Sequence, residues 1–217
     1  MADYFSRETM DFLFENRLQN SKTWFEEHRK RYDDYVVRPL KLLAENLLLE
    51  LHKIDGQLTA SCSRVWRDAR FSKDKSLFRD TMWCMFIRKK NVGMPEFFFV
   101  FSPEGILYGT GYYSAGAESM ESMRKLILAD DKDYKAALKA YEGQDIFHIE
   151  GDMYKRTRHP DASEKMRDWL DRKTICFLRN VSDFDLLYSP RLSVKVAEDF
   201  KSLAPIYHFL MKAEAQK

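Results

Sequence analysis

The sequence predicts an α+β fold in which a mainly antiparallel sheet is packed between an N-terminal helical layer and later helices. Three observations predict it. Apolar residues recur every three or four positions through the first third. Short aromatic and β-branched runs, separated by turn residues, fill the middle. Helical spacing then returns from Ala117 onward, an order that suits one mixed domain covering residues 1–217.

Ser6 reads as an N-cap, with Phe5 and Met10 placed as a staple and Met10, Leu13 and Phe14 on one helical face. Asn20 and Ser21 close this helix and start the next, which runs from Lys22 toward Val36. Its stripe of Trp24, Phe25, His28, Tyr32 and Tyr35 is expected to pack into a core. Pro39 suits the first turn of a third helix reaching Leu51, and Gly56 ends the helical third. Strands are expected at Val65–Phe71, Met82–Arg88, Phe97–Phe101 and Ile106–Tyr112, the last two joined by the turn Ser102-Pro103-Glu104-Gly105 as an antiparallel hairpin. Helices over Ala117–Leu128 and Asp133–Tyr141 follow. A strand near Ile146–Ile149, a basic loop Lys155–His159, a short helix Ser163–Leu170, a strand Thr174–Arg179 and a helix from Val194 complete the order.

Composition narrows the function. Among 217 residues, 45% are hydrophobic and 32% charged, a globular balance. A net charge of +2 gives no general attraction to nucleic acid or anionic membrane. No apolar run approaches the ~20 residues that span a bilayer, and the start of the chain lacks a secretory pattern. Cys62, Cys84 and Cys176 form no CxxC pair and read as thiols in a reducing compartment, so a cytoplasmic protein is expected. The histidines His28, His52, His148, His159 and His208 have no metal spacing, and Gly109-Thr110-Gly111 lacks the third glycine of a dinucleotide fingerprint. No metal or cofactor is expected. Those two glycines are read instead as permitting close backbone approach or a bulge.

The chemistry is concentrated between Arg64 and Arg79. Arg64, Arg67, Arg70, Lys73, Lys75 and Arg79 face only Asp68 and Asp74, so this segment carries +4 and the remainder −2. In an extended strand, Arg64, Trp66, Asp68 and Arg70 share one face, and Val65, Arg67, Ala69 and Phe71 the other. A pocket for an anionic, phosphate-bearing small ligand is the leading expectation, since paired guanidiniums hold such anions by bidentate bonds. Arg64, Arg70, Lys73 and Lys75 would hold the anion, with Arg124 completing the pocket. Asp68 would orient them or, in an enzyme, serve as general base. Arg67 and Asp74 are assigned to structural pairing. Two alternatives stand beside this: a non-enzymatic module binding protein or nucleic acid, and a purely structural ion-pair network. Nucleic acid is less favoured, given the near-neutral chain. Arg29 is read as a buried partner for a carboxylate, and Lys155–His159 as a second basic run on a loop.

Arg67-Asp68-Ala69-Arg70-Phe71-Ser72-Lys73-Asp74-Lys75 resembles the R-D-x-R-F-S-K-D-K signature of an uncharacterised bacterial and fungal family, a domain of unknown function. Asn20 ahead of Trp24-Phe25, Arg29 and Tyr32 is similar to the family's W-F-x-x-x-R-x-x-Y hallmark. Gly109, Gly111, Arg124, Ile127, His159-Pro160, Lys173, Pro205 and Phe209-Leu210 extend the resemblance over nearly the whole chain. The resemblance implies no activity. The chain departs from it at Ser76-Leu77-Phe78-Arg79, where the family has Thr-Pro-Tyr-Lys, near Ser114-Ala115, where a proline is replaced, and in a shortened basic loop before His159. A hydroxyl at position 78 is therefore missing.

Overall fold

A computed structural model describes residues 4–68, 70, 73–88 and 93–217. The chain is α+β, with an antiparallel sheet whose six described strands run β1 (Leu58–Cys62), β2 (Met82–Arg88), β3 (Glu96–Ser102), β4 (Gly105–Gly111), β6 (Cys176–Val181) and β5 (His148–Glu150) in spatial order. It groups into two compact units. The first comprises residues 1–86, 98–108 and 180–197, and the second residues 87–97, 109–179 and 198–217.

The first unit begins with α1 (Arg7–Gln19), whose Thr9 hydroxyl accepts from the Ser6 amide at 3.2 Å. Its buried face is Thr9, Phe12, Leu13 and Asn16, while Phe14 is exposed. Of Met10, Leu13 and Phe14, read as one helical face, Leu13 is buried, Met10 half-buried and Phe14 exposed. Asn20 ends α1 in the left-handed conformation, and Ser21 caps α2 (Lys22–Glu27). The expected single helix to Val36 is interrupted at His28, continues as α3 (Arg29–Tyr32), and passes through one π turn over Asp33–Val37. That wider turn shifts the register, so Val36 is buried and Tyr35 exposed. Next comes α4 (Arg38–Leu51), with Pro39 in its first turn and Leu40, Leu43, Leu47 and Leu51 buried on one stripe. Phe5 packs on Phe101 of β3 with ring centroids 4.6 Å apart.

The second unit contains α5 (Ala117–Leu128), α6 (Lys132–Glu142), α7 (Glu164–Leu170) and α9 (Ala204–Glu214), with α8 (Leu192–Ser202) having residues in both units. Leu203 separates α8 from α9, so the expected final helix is two helices, with Pro205 in the first turn of the second. Its core is aromatic: Phe97 meets Phe200 and Tyr207 at 5.1 and 4.9 Å, and Trp169 meets Phe177 at 4.9 Å. Glycines let β4 approach β6 here. A Cβ on Gly109 would lie 2.0 Å from the Phe177 carbonyl oxygen, as the close-approach reading of this Gly-Thr-Gly expects. All three cysteines are free; burial raises each thiol's pKa, that of Cys176 to about 11. Among the described residues no helix is long and apolar enough to cross a membrane.

Candidate functional site

The basic segment is a short two-stranded ribbon closing a loop. Arg67 donates its amide to the Leu77 carbonyl and Arg79 to that of Val65, both at 2.9 Å, which pairs Trp66 with Phe78 antiparallel. Among the described residues, the expected strand Val65–Phe71 shows one bridge, at Trp66. Its end has a local cause: Asp68 accepts the Arg70 amide at 3.2 Å and Asp74 the Ser76 amide at 2.9 Å, side-chain turns that compete with a ladder. Alternation holds as far as Asp68, with Val65 fully buried, Arg67 half-buried, and Arg64, Trp66 and Asp68 exposed. Of the motif, Ala69, Phe71 and Ser72 lie outside the described residues.

The aromatic helix motif is the foundation of this ribbon. The buried Val65 amide donates to the Tyr32 hydroxyl at 3.2 Å, and the Leu77 amide donates to the Asn20 side-chain oxygen at 2.7 Å. Phe25 stacks on Phe78 at 5.1 Å and meets Trp66 edge-on at 5.3 Å. Arg17 and Asp80 add an ion pair. Burial raises the Tyr32 phenol pKa, so it stays neutral and keeps its hydroxyl. Tyr32→Phe would leave the Val65 amide without its acceptor. We expect a loss of about 1–3 kcal/mol, read as a lower denaturant midpoint at unchanged slope.

The charges sort into two groups. Arg67 pairs with Asp74 and donates to the Ser76 hydroxyl at 3.1 Å, the structural pairing expected of these residues. Arg70 holds Asp68 with both Nε (2.9 Å) and Nη2 (2.6 Å). The Arg70 guanidinium and backbone amide push the Asp68 carboxyl down to about 2. A carboxylate that acidic is a poor proton acceptor at neutral pH. Arg64 and Lys73 are exposed and have no hydrogen-bond or ion-pair partner among the described residues, and Lys75 is exposed. Arg79 is half-buried. Its Nε and Nη2 reach the Trp66 carbonyl at 3.3 and 3.1 Å, and its guanidinium lies 4.4 Å from the Trp83 ring centroid. Burial, and then the Arg67 charge, lower its pKa, and no carboxylate among the described residues neutralises it.

Two other expected residues have partners of their own. Arg124 belongs to the second unit and is 4% exposed, with Nε on the Leu170 carbonyl (2.9 Å) and Nη2 on that of Arg172 (2.6 Å). Its donors are committed there. Arg29 is an exposed residue pairing with Glu26 at 3.4 Å and Asp33 at 4.0 Å, not a buried partner; the half-buried arginine of that helix is Arg31, bound to Glu8 and Glu15. Reasoning on sequence alone left out Arg79 and Asn20 as parts of the site. Arg79 is visible only once Val65 and Arg79 are known to face each other across the ribbon. Among the described residues, no group of three or more His, Cys, Asp or Glu could hold a metal ion.

The model of a family described as conserved hypothetical protein (DUF2461) matches residues 8–209, which include both the aromatic helix motif and the basic ribbon. No curated protein matches the chain.

Proposed function

We propose, for a chain that belongs to this family of conserved hypothetical proteins (DUF2461), that the Arg64–Arg79 ribbon binds an anionic, phosphate-bearing small ligand. The observation that carries this reading is Arg79. A half-buried guanidinium beside a second one, fixed by a carbonyl and an indole rather than a carboxylate, keeps its positive charge uncompensated. An anion with several acceptor oxygens would compensate it, drawing on the exposed Arg64, Lys73 and Lys75 of the same segment. Arg70 and Asp68 shape the loop by pairing with each other. The charges favour binding over proton transfer, and no reaction is assigned.

The Arg67–Asp74 and Arg70–Asp68 pairs favour a second reading, a fold-defining ion network with no ligand. A thermal-shift screen with phosphorylated metabolites, nucleotides and short oligonucleotides separates the two. Ligand binding to the native state alone should raise the wild-type melting temperature by roughly 2–4 °C per kcal/mol of linkage, and Arg79→Ala should remove that rise. Under the network reading, Arg79→Ala lowers the melting temperature and no compound moves either protein.

A further inference from the structure

We infer that Tyr154, Arg158 and Lys173, backed by the buried Arg124, form an anion site of the second unit that takes a phosphate dianion, free or as a monoester. Two backbone segments build it. The Tyr154 amide donates to the Asp171 carbonyl at 2.8 Å and the Lys173 amide to the Asp152 carbonyl at 2.6 Å, pairing Met153 with Arg172 antiparallel. Arg158 is brought in by its amide, which donates to the Asp171 carboxylate at 3.1 Å. Three cations then surround one phenol ring. The Arg158 guanidinium is 3.9 Å from the ring centroid, that of Arg124 is 5.4 Å, and the Lys173 ammonium is 5.9 Å.

The ring's electron-rich face favours Arg158 and Lys173 beside Arg124, which two carbonyls fix, yet it does not remove their mutual repulsion. The acids nearby have other partners. Asp171 accepts a backbone amide, Asp168 pairs with Arg172 at 2.7 Å, and Glu121 pairs with the buried Arg124 at 3.7 Å, which leaves Arg158 and Lys173 as the cations to be matched. Arg158 and Lys173 are exposed and have no ion pair among the described residues, and the half-buried Tyr154 has no hydrogen bond from its hydroxyl among them. Two exposed cations and a phenol donor around one ring, with a third charge buried behind, match a compact dianion with oxygens on several sides. The basic run Lys155–His159 and Lys173, far apart in sequence, thereby acquire one shared role.

Amide chemical-shift titration of the full chain tests this with inorganic phosphate and with glycerol phosphate, at constant ionic strength. Saturable shifts are expected at the amides of Tyr154, Arg158 and Lys173. Replacing both exposed cations, as Arg158→Ala with Lys173→Ala, should weaken binding at least about tenfold. Both positions are exposed, and circular dichroism verifies that the variant folds. Shifts with both probes assign a bare phosphate group, and shifts with only one assign the free or the esterified form. Arg79→Ala should leave these resonances responding as in the wild type, which separates this site from the Arg64–Arg79 ribbon. Silence at all three amides with both probes, or unchanged affinity in the double variant, overturns the assignment.

Discussion

Gly109→Ala is expected to leave the chain without a stable fold. The added Cβ would lie 2.0 Å from the Phe177 carbonyl oxygen and 2.9 Å from the Leu178 Cα. Both atoms are backbone of β6, so no rotamer change relieves the contact. Either β4 moves off β6 or the ladder breaks, and such clashes cost more than about 4 kcal/mol against a total stability of roughly 5–15 kcal/mol. Gly111 is under the same constraint from Cys176 and has φ of 144°, outside the range an L side chain adopts readily. Gly56, whose Cβ would meet only the His52 carbonyl at 3.9 Å, is the control. Circular dichroism melts should show Gly56→Ala folding like the wild type and Gly109→Ala without a cooperative transition. A Gly109→Ala protein melting within a few degrees of wild type would contradict the close approach of β4 and β6.

The second large effect lies at Glu96, the first residue of β3. Its side chain is 6% exposed, and burial pushes the carboxyl from its ordinary 4.5 up to about 7. The sign follows from linkage. Between those two values the native state binds the proton more tightly than the unfolded chain does, so stability falls as pH rises through the window. Below 4.5 the carboxyl is neutral in both states and costs nothing; above 7 the full penalty is present, about 3 kcal/mol for a shift of this size. Glu96→Gln removes that penalty. Urea unfolding at pH 5 and pH 8 should show the variant gaining on the wild type as pH rises from 4.5 to 7, with the gain levelling off above neutrality. A difference between the two proteins that does not depend on pH would mean that Glu96 is ionised in the fold at an ordinary pKa.

The fold was most legible where one period governs a segment. Ala117–Leu128 matches α5 at both ends, because its buried face repeats every three or four residues from Met120 to Ile127 and nothing competes. β2, β3 and β4 were equally plain from their aromatic and β-branched runs and from the Pro-Glu-Gly turn. Leu58–Cys62 escaped notice because Thr59, Ala60 and Ser61 carry little strand signal, and pairing with β2 makes it a strand. Side-chain turns at Asp68 and Asp74 shortened Val65–Phe71, and the π turn at Asp33–Val37 broke a register that ideal helical spacing extends. In the candidate site, Arg67–Asp74 followed from placing an arginine among apolar neighbours. Asp68 was expected to orient the arginines on its strand face, and it binds Arg70 within a side-chain turn rather than along an extended strand. That Asn20, Phe25 and Tyr32 support the basic segment depends on contacts between residues more than thirty positions apart, which no local pattern encodes.

Arg79 is the decisive residue. Chemical-shift titration of the full chain with pyrophosphate, read at the amides of Lys73, Lys75 and Arg79, reports on this ribbon alone. An uncompensated guanidinium that recruits an anion predicts saturable shifts there in the wild type, weaker at higher salt, and at least about tenfold loss of affinity in Arg79→Ala. Resonances that stay fixed, or that titrate with the same affinity in both proteins, would contradict a phosphate-binding ribbon and leave Arg64–Arg79 as a structural ion network.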